Sequence, residues 1–264
     1  MLLGMVEYMQ HLEQRQLRSR YINEVYGTLM RVQRDMGPLH DLTACELEEW
    51  WESLNVSAGT RNVYLAHLAG FYRWAIRTHK RDEDPTALLV RPRQPRHLPR
   101  PIADDRLRYA LREAEPPLDA WLALAAYMGL RAHEIAMLCG DDLEGGSLLV
   151  RDGKGGRQRV LPLHHEVLRR LGAVDRGPLW TNTRGGVLTA NTVSHRANRY
   201  LHDLGIPETL HQLRHWFGTN VYRTSRDLRL TQELCGHASP VTTAGYAAWD
   251  PSAAAAVVGR LRVD

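Results

Sequence analysis

Cysteine is scarce. Cys45, Cys139 and Cys235 are the only three, scattered and odd in number, which argues against a disulfide framework and for a reducing compartment. Long apolar runs are missing as well. The longest, Leu118 to Leu130, is broken by Asp119 and falls short of the roughly 20 residues that span a bilayer. Met1-Leu2-Leu3 lacks a basic n-region and a following apolar core, so no secretory signal is read. These absences point to the cytoplasm, with no membrane partner. Lysine is nearly absent: Lys80 and Lys154 are the only two among 34 basic side chains. A GC-rich genome accounts for that bias. It nevertheless sets Lys154 apart, because arginine cannot do the same proton chemistry. Segregated charge is also lacking, with 14 basic against 12 acidic side chains in residues 1–100 and 20 against 18 in the rest, so each part is +2. A pI near 9.1 permits nucleic-acid binding without requiring it. Any such surface must come from placement rather than bulk charge.

What is present fits a globular chain. At 264 residues with 44% hydrophobic side chains, one large or two moderate domains with a sizeable core are expected. The fold class read from the pattern is mainly α with a small β-sheet (α+β), in two domains. Residues 1–90 read as four helices, at Leu2–Glu13, Ser19–Met36, Thr43–Ser53 and Ser57–Thr78. Thr43 and Glu46 stand at capping-box spacing. Trp50, Trp51 and Trp74 could stack on bases, but their helical spacing favours core packing. Residues 91–101 hold four prolines, four arginines (Arg91, Arg93, Arg96 and Arg100) and no acid. That composition is a semi-rigid extended linker, either solvated or lying along a phosphate backbone. Residues 102–249 are mixed. Helices are expected near 104–113, 118–128, 131–138, 164–172, 189–204, 209–224, 227–234 and 241–248. Strands are expected at 147–150 and 159–163, joined by the glycine-rich turn Asp152-Gly153-Lys154-Gly155-Gly156. A last helix over 250–262, capped by Asp250 with Pro251 behind it, carries the apolar stripe Val257, Val258 and Leu261.

Six residues in this second part form a candidate site. Tyr246 closes a run made by Arg131, Lys154, His211, Arg214 and His237. A phenol amid guanidiniums, an ammonium and imidazoles can attack a phosphodiester and hold the phosphate covalently. Tyrosine, with a pKa near 10, needs a base or a cationic surround to do so. Guanidinium forks fit two phosphate oxygens at once, so Arg131 and Arg214 are candidate clamps. Glu134, three residues after Arg131, is placed to pair with it. A lysine can protonate a leaving alkoxide, although one in a turn is ordinarily a solvated surface residue. His211 reads as a base or phosphate donor, and His215, four residues on, as a supporting buried imidazole. With Cys235 and His237 the two histidines raise a zinc alternative. Gln212 stands where a metalloprotease motif needs glutamate, and Arg214 would repel a cation, so neither metal nor cofactor is expected.

Together these stretches resemble the tyrosine recombinases, the phage integrase family. The matching runs are Tyr127 to Arg131 with Glu134, Gly153-Lys154-Gly155 with Arg159-Val160-Leu161-Pro162-Leu163, His211 to His215, and Leu234 to His237 leading through Thr242-Thr243 to Tyr246. Cys235 departs from the usual leucine and Trp216 from a smaller residue. The resemblance implies a helical core-DNA-binding domain (1–90), a linker (91–101), a catalytic domain (102–249) and a C-terminal helix with tail (250–264) that docks on a neighbouring protomer. It implies a clamp on duplex DNA at a core attachment site and a homotetramer on two sites. Tyr246 would form a 3′-phosphotyrosine, Lys154 would protonate the departing 5′-hydroxyl, and no metal or nucleotide would be consumed. A compact integrase without an arm-binding domain is expected, in a bacterial host cytoplasm at the nucleoid. Its role would be integration and excision of a phage genome, with a directionality factor as a further candidate partner. The alternatives are an Xer-like chromosome or plasmid resolvase, a topoisomerase IB-like nickase and a non-catalytic DNA-binding regulator.

Overall fold

The computed structural model describes residues 3–93, 99–151, 158–237, 240–244 and 246. The chain divides into two units, Met1–Arg96 and His97–Asp264. The division falls within the Arg/Pro segment.

The first unit is four helices: α1 (Leu3–Gln14), α2 (Ser19–Met36), α3 (Ala44–Ser53) and α4 (Ala58–Arg77). Their apolar residues recur every three or four positions, so one stripe of each faces inward. On α2 that stripe is Ile22, Val25, Leu29 and Val32; on α4 it is Leu68, Phe71, Tyr72 and Ala75. Caps set the helix starts. Thr43 and Glu46 form the expected capping box, and Ser57 accepts from the Thr60 N–H at 3.1 Å. Trp50, Trp51 and Trp74 are all buried, so packing rather than base stacking accounts for them. The Tyr72 hydroxyl donates to the Leu39 carbonyl at 2.9 Å, which satisfies its one polar atom inside the core.

The second unit begins with α5 (Asp104–Glu113) and α6 (Leu118–Met128). Helix α6 is apolar on nearly all sides and forms the centre of the core, with Trp121, Leu122, Leu124 and Met128 fully enclosed. It stops at Gly129, whose φ of 63° lies in the left-handed region. Glycine is required there twice over, because a Cβ would also come within 2.3 Å of the Phe217 ring. The helix expected over 131–138 is shorter: α7 runs Ala132–Ala136, and Arg131 precedes it as an extended N-cap residue.

A 3-10 turn, Gly140–Asp142, leads into a three-stranded antiparallel meander of β1 (Leu143–Glu144), β2 (Ser147–Val150) and β3 (Arg159–Pro162). Leu148 pairs with Leu161, and both point into the core. The two-residue β1 was not expected. The hairpin tip with Lys154 lies outside the described residues. Helices α8 (His165–Leu171), α9 (Ala190–Asp203), α10 (Leu210–Ser225), α11 (Leu228–Cys235) and α12 (Pro240–Ala244) complete the unit. The helix expected over 241–248 ends at Ala244 in the described chain, and Tyr246 is in a 3-10 conformation. The expected helix over 250–262 lies outside the described residues. Among the described residues, no helix is long and apolar enough to cross a membrane.

Gly129→Ala should destabilise the second unit by about 1–3 kcal/mol through overpacking against Phe217, with a further penalty from the left-handed backbone. Urea unfolding followed by tryptophan fluorescence checks this. An unchanged midpoint would mean that the turn has other room to relax.

Candidate active site

Helix α10 carries most of the site on one face. His211, Arg214, His215 and Gly218 are spaced by three, one and three residues, the spacing that stacks side chains along one helical stripe. The start of the helix is fixed locally. The Gln212 side-chain oxygen accepts from the Thr209 N–H at 2.9 Å, and the Leu210 N–H donates to the Asn198 side chain at 2.8 Å. Gln212, which stands where a metalloprotease would carry glutamate, is thus a capping residue. Among the described residues, no group of three or more His, Cys, Asp or Glu is arranged to hold a metal ion.

Glu134 is the hub of the site. Its side chain is only 1% exposed. Arg131 donates to it twice, from the backbone N–H at 2.8 Å and from Nη1 at 2.9 Å. Arg159 grips it bidentately, Nη1 to Oε1 at 2.8 Å and Nη2 to Oε2 at 2.9 Å. Arg214 Nη1 lies 3.8 Å from Oε2. Burial alone would raise the carboxyl, but the Arg159 hydrogen bonds and charge, the Arg131 N–H and Arg214 outweigh it, and Glu134 is held down to about 2.

The same three guanidiniums also take the last carbonyls of α11. Arg159 Nε donates to Leu234 O at 3.2 Å, Arg214 Nη2 to Cys235 O, and Arg131 Nη2 to Gly236 O at 2.9 Å. Terminal carbonyls have no intrahelical partner and sit at the negative end of the helix dipole. Three cations therefore cap one helix end while sharing one carboxylate. Arg214 is the deepest of the three at 2% exposed, and its Nη1 also donates to Gly129 O. Burial first, and Arg131 second, lower its pKa to about 10, so it stays charged at neutral pH. Arg131 is more open, with 18% of its side chain exposed.

His237 follows the left-handed Gly236 that ends α11. Its N–H donates to Gln232 O at 3.0 Å, and its own carbonyl accepts from Gln232 Nε2 at 3.1 Å. Its ring meets the Thr243 hydroxyl at 3.0 Å and stacks on Tyr246 with centroids 5.7 Å apart. Tyr246 is 7% exposed and packs with Phe217 and Cys235. Its ring lies on Gly218, where a Cβ would be 2.5 Å from Cζ. The phenol oxygen is 3.1 Å from His215 Nδ1. Burial, followed by Cys235, pushes its pKa up to about 12 against the pull of Arg214 and Arg131. Burial and nearby positive charge lower both histidines, His215 to about 4 and His237 to about 3. His211 is exposed. Its ring packs edge-on against His215 with centroids 4.5 Å apart. Loss of hydration on its inner side, then Arg214 and Arg131, hold it below its ordinary value.

Of the residues expected at the site, Arg131, Glu134, His211, Arg214, His215, His237 and Tyr246 are brought together. Lys154 and Arg96 lie outside the described residues. Arg91, Arg93 and Arg100 are exposed, and their stretches contain neither helix nor strand. The Pro92 carbonyl accepts from Asn62 at 3.1 Å, and the Ile102 N–H donates to Gln212 O at 3.4 Å. Sequence reasoning missed two residues. Arg159 stands in a matching run and at the start of an expected strand but carries no site role there, although an arginine opening an otherwise apolar strand signals a buried partner. Gly218, seven residues after His211, is the seat of Tyr246.

The pKa shifts carry a stability sign. His215 and His237 take up protons in the unfolded chain near 6.5, well before the folded chain does. Their contribution is full above about 6.5 and is lost as pH falls toward 4 and 3. Glu134 adds a loss below about 4.5. The urea midpoint should therefore fall steadily between pH 7 and pH 4, and His215→Asn should flatten the slope. A level midpoint across that range would refute the assignment.

Residues 105–252 match the phage integrase family. The tyrosine recombinase XerC of Rhodospirillum centenum is 37% identical over 236 residues, covering 79% of this chain and 69% of that protein. Tyrosine recombinase XerD of Vibrio cholerae is 29% identical, covering 76% and 74%. A lambda integrase dimer bound to a COC′ core site shares the fold with a TM-score of 0.75 at 20% identity, covering 95% of this chain and 98% of that one. The mainly helical fold with a small sheet is that of these enzymes, and the chain belongs to the phage integrase family, the tyrosine recombinases.

Proposed function

We propose that this chain performs site-specific DNA recombination by cutting and rejoining strands through a 3′-phosphotyrosine on Tyr246. The observation that carries the reading is the cluster of Tyr246, His215 and His237, within the field of the Arg131 and Arg214 that Glu134 holds. In the cleavage step the Tyr246 oxygen bonds to phosphorus and the P–O5′ bond breaks. The phenolic proton goes to His215 Nδ1, which is neutral at pH 7 and can accept it. Lys154 would protonate the leaving 5′-oxygen, since lysine can release a proton and arginine in practice cannot. Two guanidinium charges offset the extra negative charge of the pentacoordinate phosphorus. Arg131 has N–H groups left over from its protein contacts, because a guanidinium offers five, and Arg214 acts from the pocket floor. His211 and His237 are donors to the non-bridging oxygens. The 5′-hydroxyl of a partner strand then reverses the chemistry, so the ester conserves the bond energy.

Duplex DNA at a core site is the proposed partner. Arg91, Arg93, Arg96 and Arg100 would run along its phosphates. Four copies would act on two sites, as in the lambda integrase tetramer bound to a Holliday junction, whose fold matches with a TM-score of 0.76. The similarity to XerC and XerD favours resolution of chromosomes or plasmids as a second reading beside phage integration; the chemistry is the same in both.

Tyr246→Phe should abolish covalent capture of a nicked suicide duplex while leaving duplex affinity within about threefold, because one buried hydroxyl contributes little to a large phosphate-dominated interface. Adduct on a denaturing gel reads this directly, and undiminished adduct in the variant rejects Tyr246 as nucleophile. Cleavage should also proceed at an unchanged rate in EDTA without nucleotide, since the protein supplies the positive charge. A strict divalent-cation requirement in the same gel assay would oppose the mechanism.

A further inference from the structure

The three guanidiniums around Glu134 are not equivalent. Arg131 and Arg214 are the two that the proposed chemistry uses. Arg159 stands 25 residues after Glu134, at the first position of β3. All three of its nitrogens are taken by protein: Nε by Leu234 O, Nη1 by Glu134 Oε1 and Nη2 by Glu134 Oε2. Its side chain is 10% exposed, so it faces inward. Helix α11 makes room for it by ending in glycine, since a Cβ on Gly236 would lie 2.8 Å from Arg159 Nη1 and 3.1 Å from Cζ.

From this geometry we propose that Arg159 is a positioning residue for strand cleavage, which keeps Glu134 saturated so that the more open Arg131 fork remains available to phosphate above the buried Arg214 charge. The proposal rests on the phosphotyrosine reading above. A carboxylate has two oxygens and about four acceptor sites. Arg159 fills one site on each oxygen and fixes the plane of the group. Arg131 then holds Oε1 with Nη1, Oε2 with its backbone N–H and Gly236 O with Nη2, and its side chain stays 18% exposed. Without Arg159 the carboxylate keeps only the Arg131 hydrogen bonds, and a turn about them lets it bind the Arg131 fork bidentately, which withdraws donors and charge from the phosphate site. Three guanidiniums on one carboxylate leave a formal +2, which suits a phosphorane approaching two negative charges. Removing Arg159 leaves +1. The Leu234 contact also ties β3 to the end of α11, two residues before the turn that carries His237.

Charge removal on the substrate separates this role from general packing. Wild type, Arg159→Ala and Arg159→Lys are compared for adduct formation on a nicked duplex. One version carries an ordinary scissile phosphodiester and the other an uncharged methylphosphonate at that position. On the phosphodiester, Arg159→Ala should be slower by roughly 100-fold, the size of losing one preorganised donor, and Arg159→Lys should recover part of that. On the methylphosphonate, which needs less positive charge, the deficit should shrink to under about tenfold, as it should for Arg131→Ala. Duplex affinity should change little in either variant. A deficit of equal size on both substrates would mean a packing role and overturn the proposal, as would an Arg159→Ala rate within about threefold of wild type. If Arg159→Ala does not fold, Arg159→Lys, which keeps charge but loses the bidentate grip, takes its place under the same two criteria. Absence of adduct with wild type would instead remove the phosphotyrosine reading itself.

Discussion

Four elements of the second unit, α7, β3, α10 and α11, meet at one buried anion. Glu134 and the open end of α11 supply negative charge, and Arg131, Arg159 and Arg214 supply positive charge. No member of this set is stable in the interior alone. A buried carboxylate without its partners would neutralise, and a buried guanidinium has no neutral form to retreat to near pH 7. Removing one partner of such a network costs about 3–5 kcal/mol, chiefly because the others are left buried and unpaired. The network therefore stabilises the fold and, by the same contacts, sets where two arginines point. Stability and preorganisation come from the same hydrogen bonds.

That arrangement links elements far apart in the chain. Arg131 precedes α7, Arg159 opens β3, Arg214 lies in α10, and the carbonyls belong to α11. The glycines serve the same end. Gly129 lets α6 stop against Phe217, Gly236 lets α11 stop against Arg159, and Gly218 lets the Tyr246 ring lie flat on α10. At each, a single methyl group would displace a side chain of the candidate site or the helix that carries it.

Much of this was legible in the sequence wherever the signal was local. Helix periodicity gave the four N-terminal helices, with ends within a residue or two, because amphipathic stripes repeat every turn. The Arg131–Glu134 pair was legible because three residues separate them across one helix start. The stop at Gly129 followed from glycine after an apolar run. What was not legible depends on contacts across the chain. The bidentate hold of Arg159 on Glu134 spans 25 residues, and nothing in strand spacing announces it. Strand β1 is two residues long, too short for any alternation. The capping role of Gln212 was masked by its place between two histidines, which suggested a metal motif. His215 was read as a supporting imidazole, and only the fold places its Nδ1 3.1 Å from the phenol.

The resting geometry also constrains how the proposed nucleophile can be activated. With Tyr246 near 12 and His215 near 4, complete proton transfer before attack would be uphill by about eight pKa units, or roughly 11 kcal/mol at 1.36 kcal/mol per unit. Free phenolate at pH 7 is disfavoured by about 7 kcal/mol on the same scale. Both shifts favour the neutral pair, so on the proposed chemistry the phenol stays protonated until phosphorus is within reach. On the proposed chemistry the proton then moves as the O–P bond forms, when the phenolic oxygen becomes far more acidic. The incoming phosphodiester helps at the other end. Its negative charge offsets Arg214, which holds down both His215 and His237, and Arg131, which holds down His237. On that chemistry, substrate binding raises the basicity of the imidazole proposed to accept the proton. On the same proposal the charge of the pocket is balanced only when a phosphate completes the set.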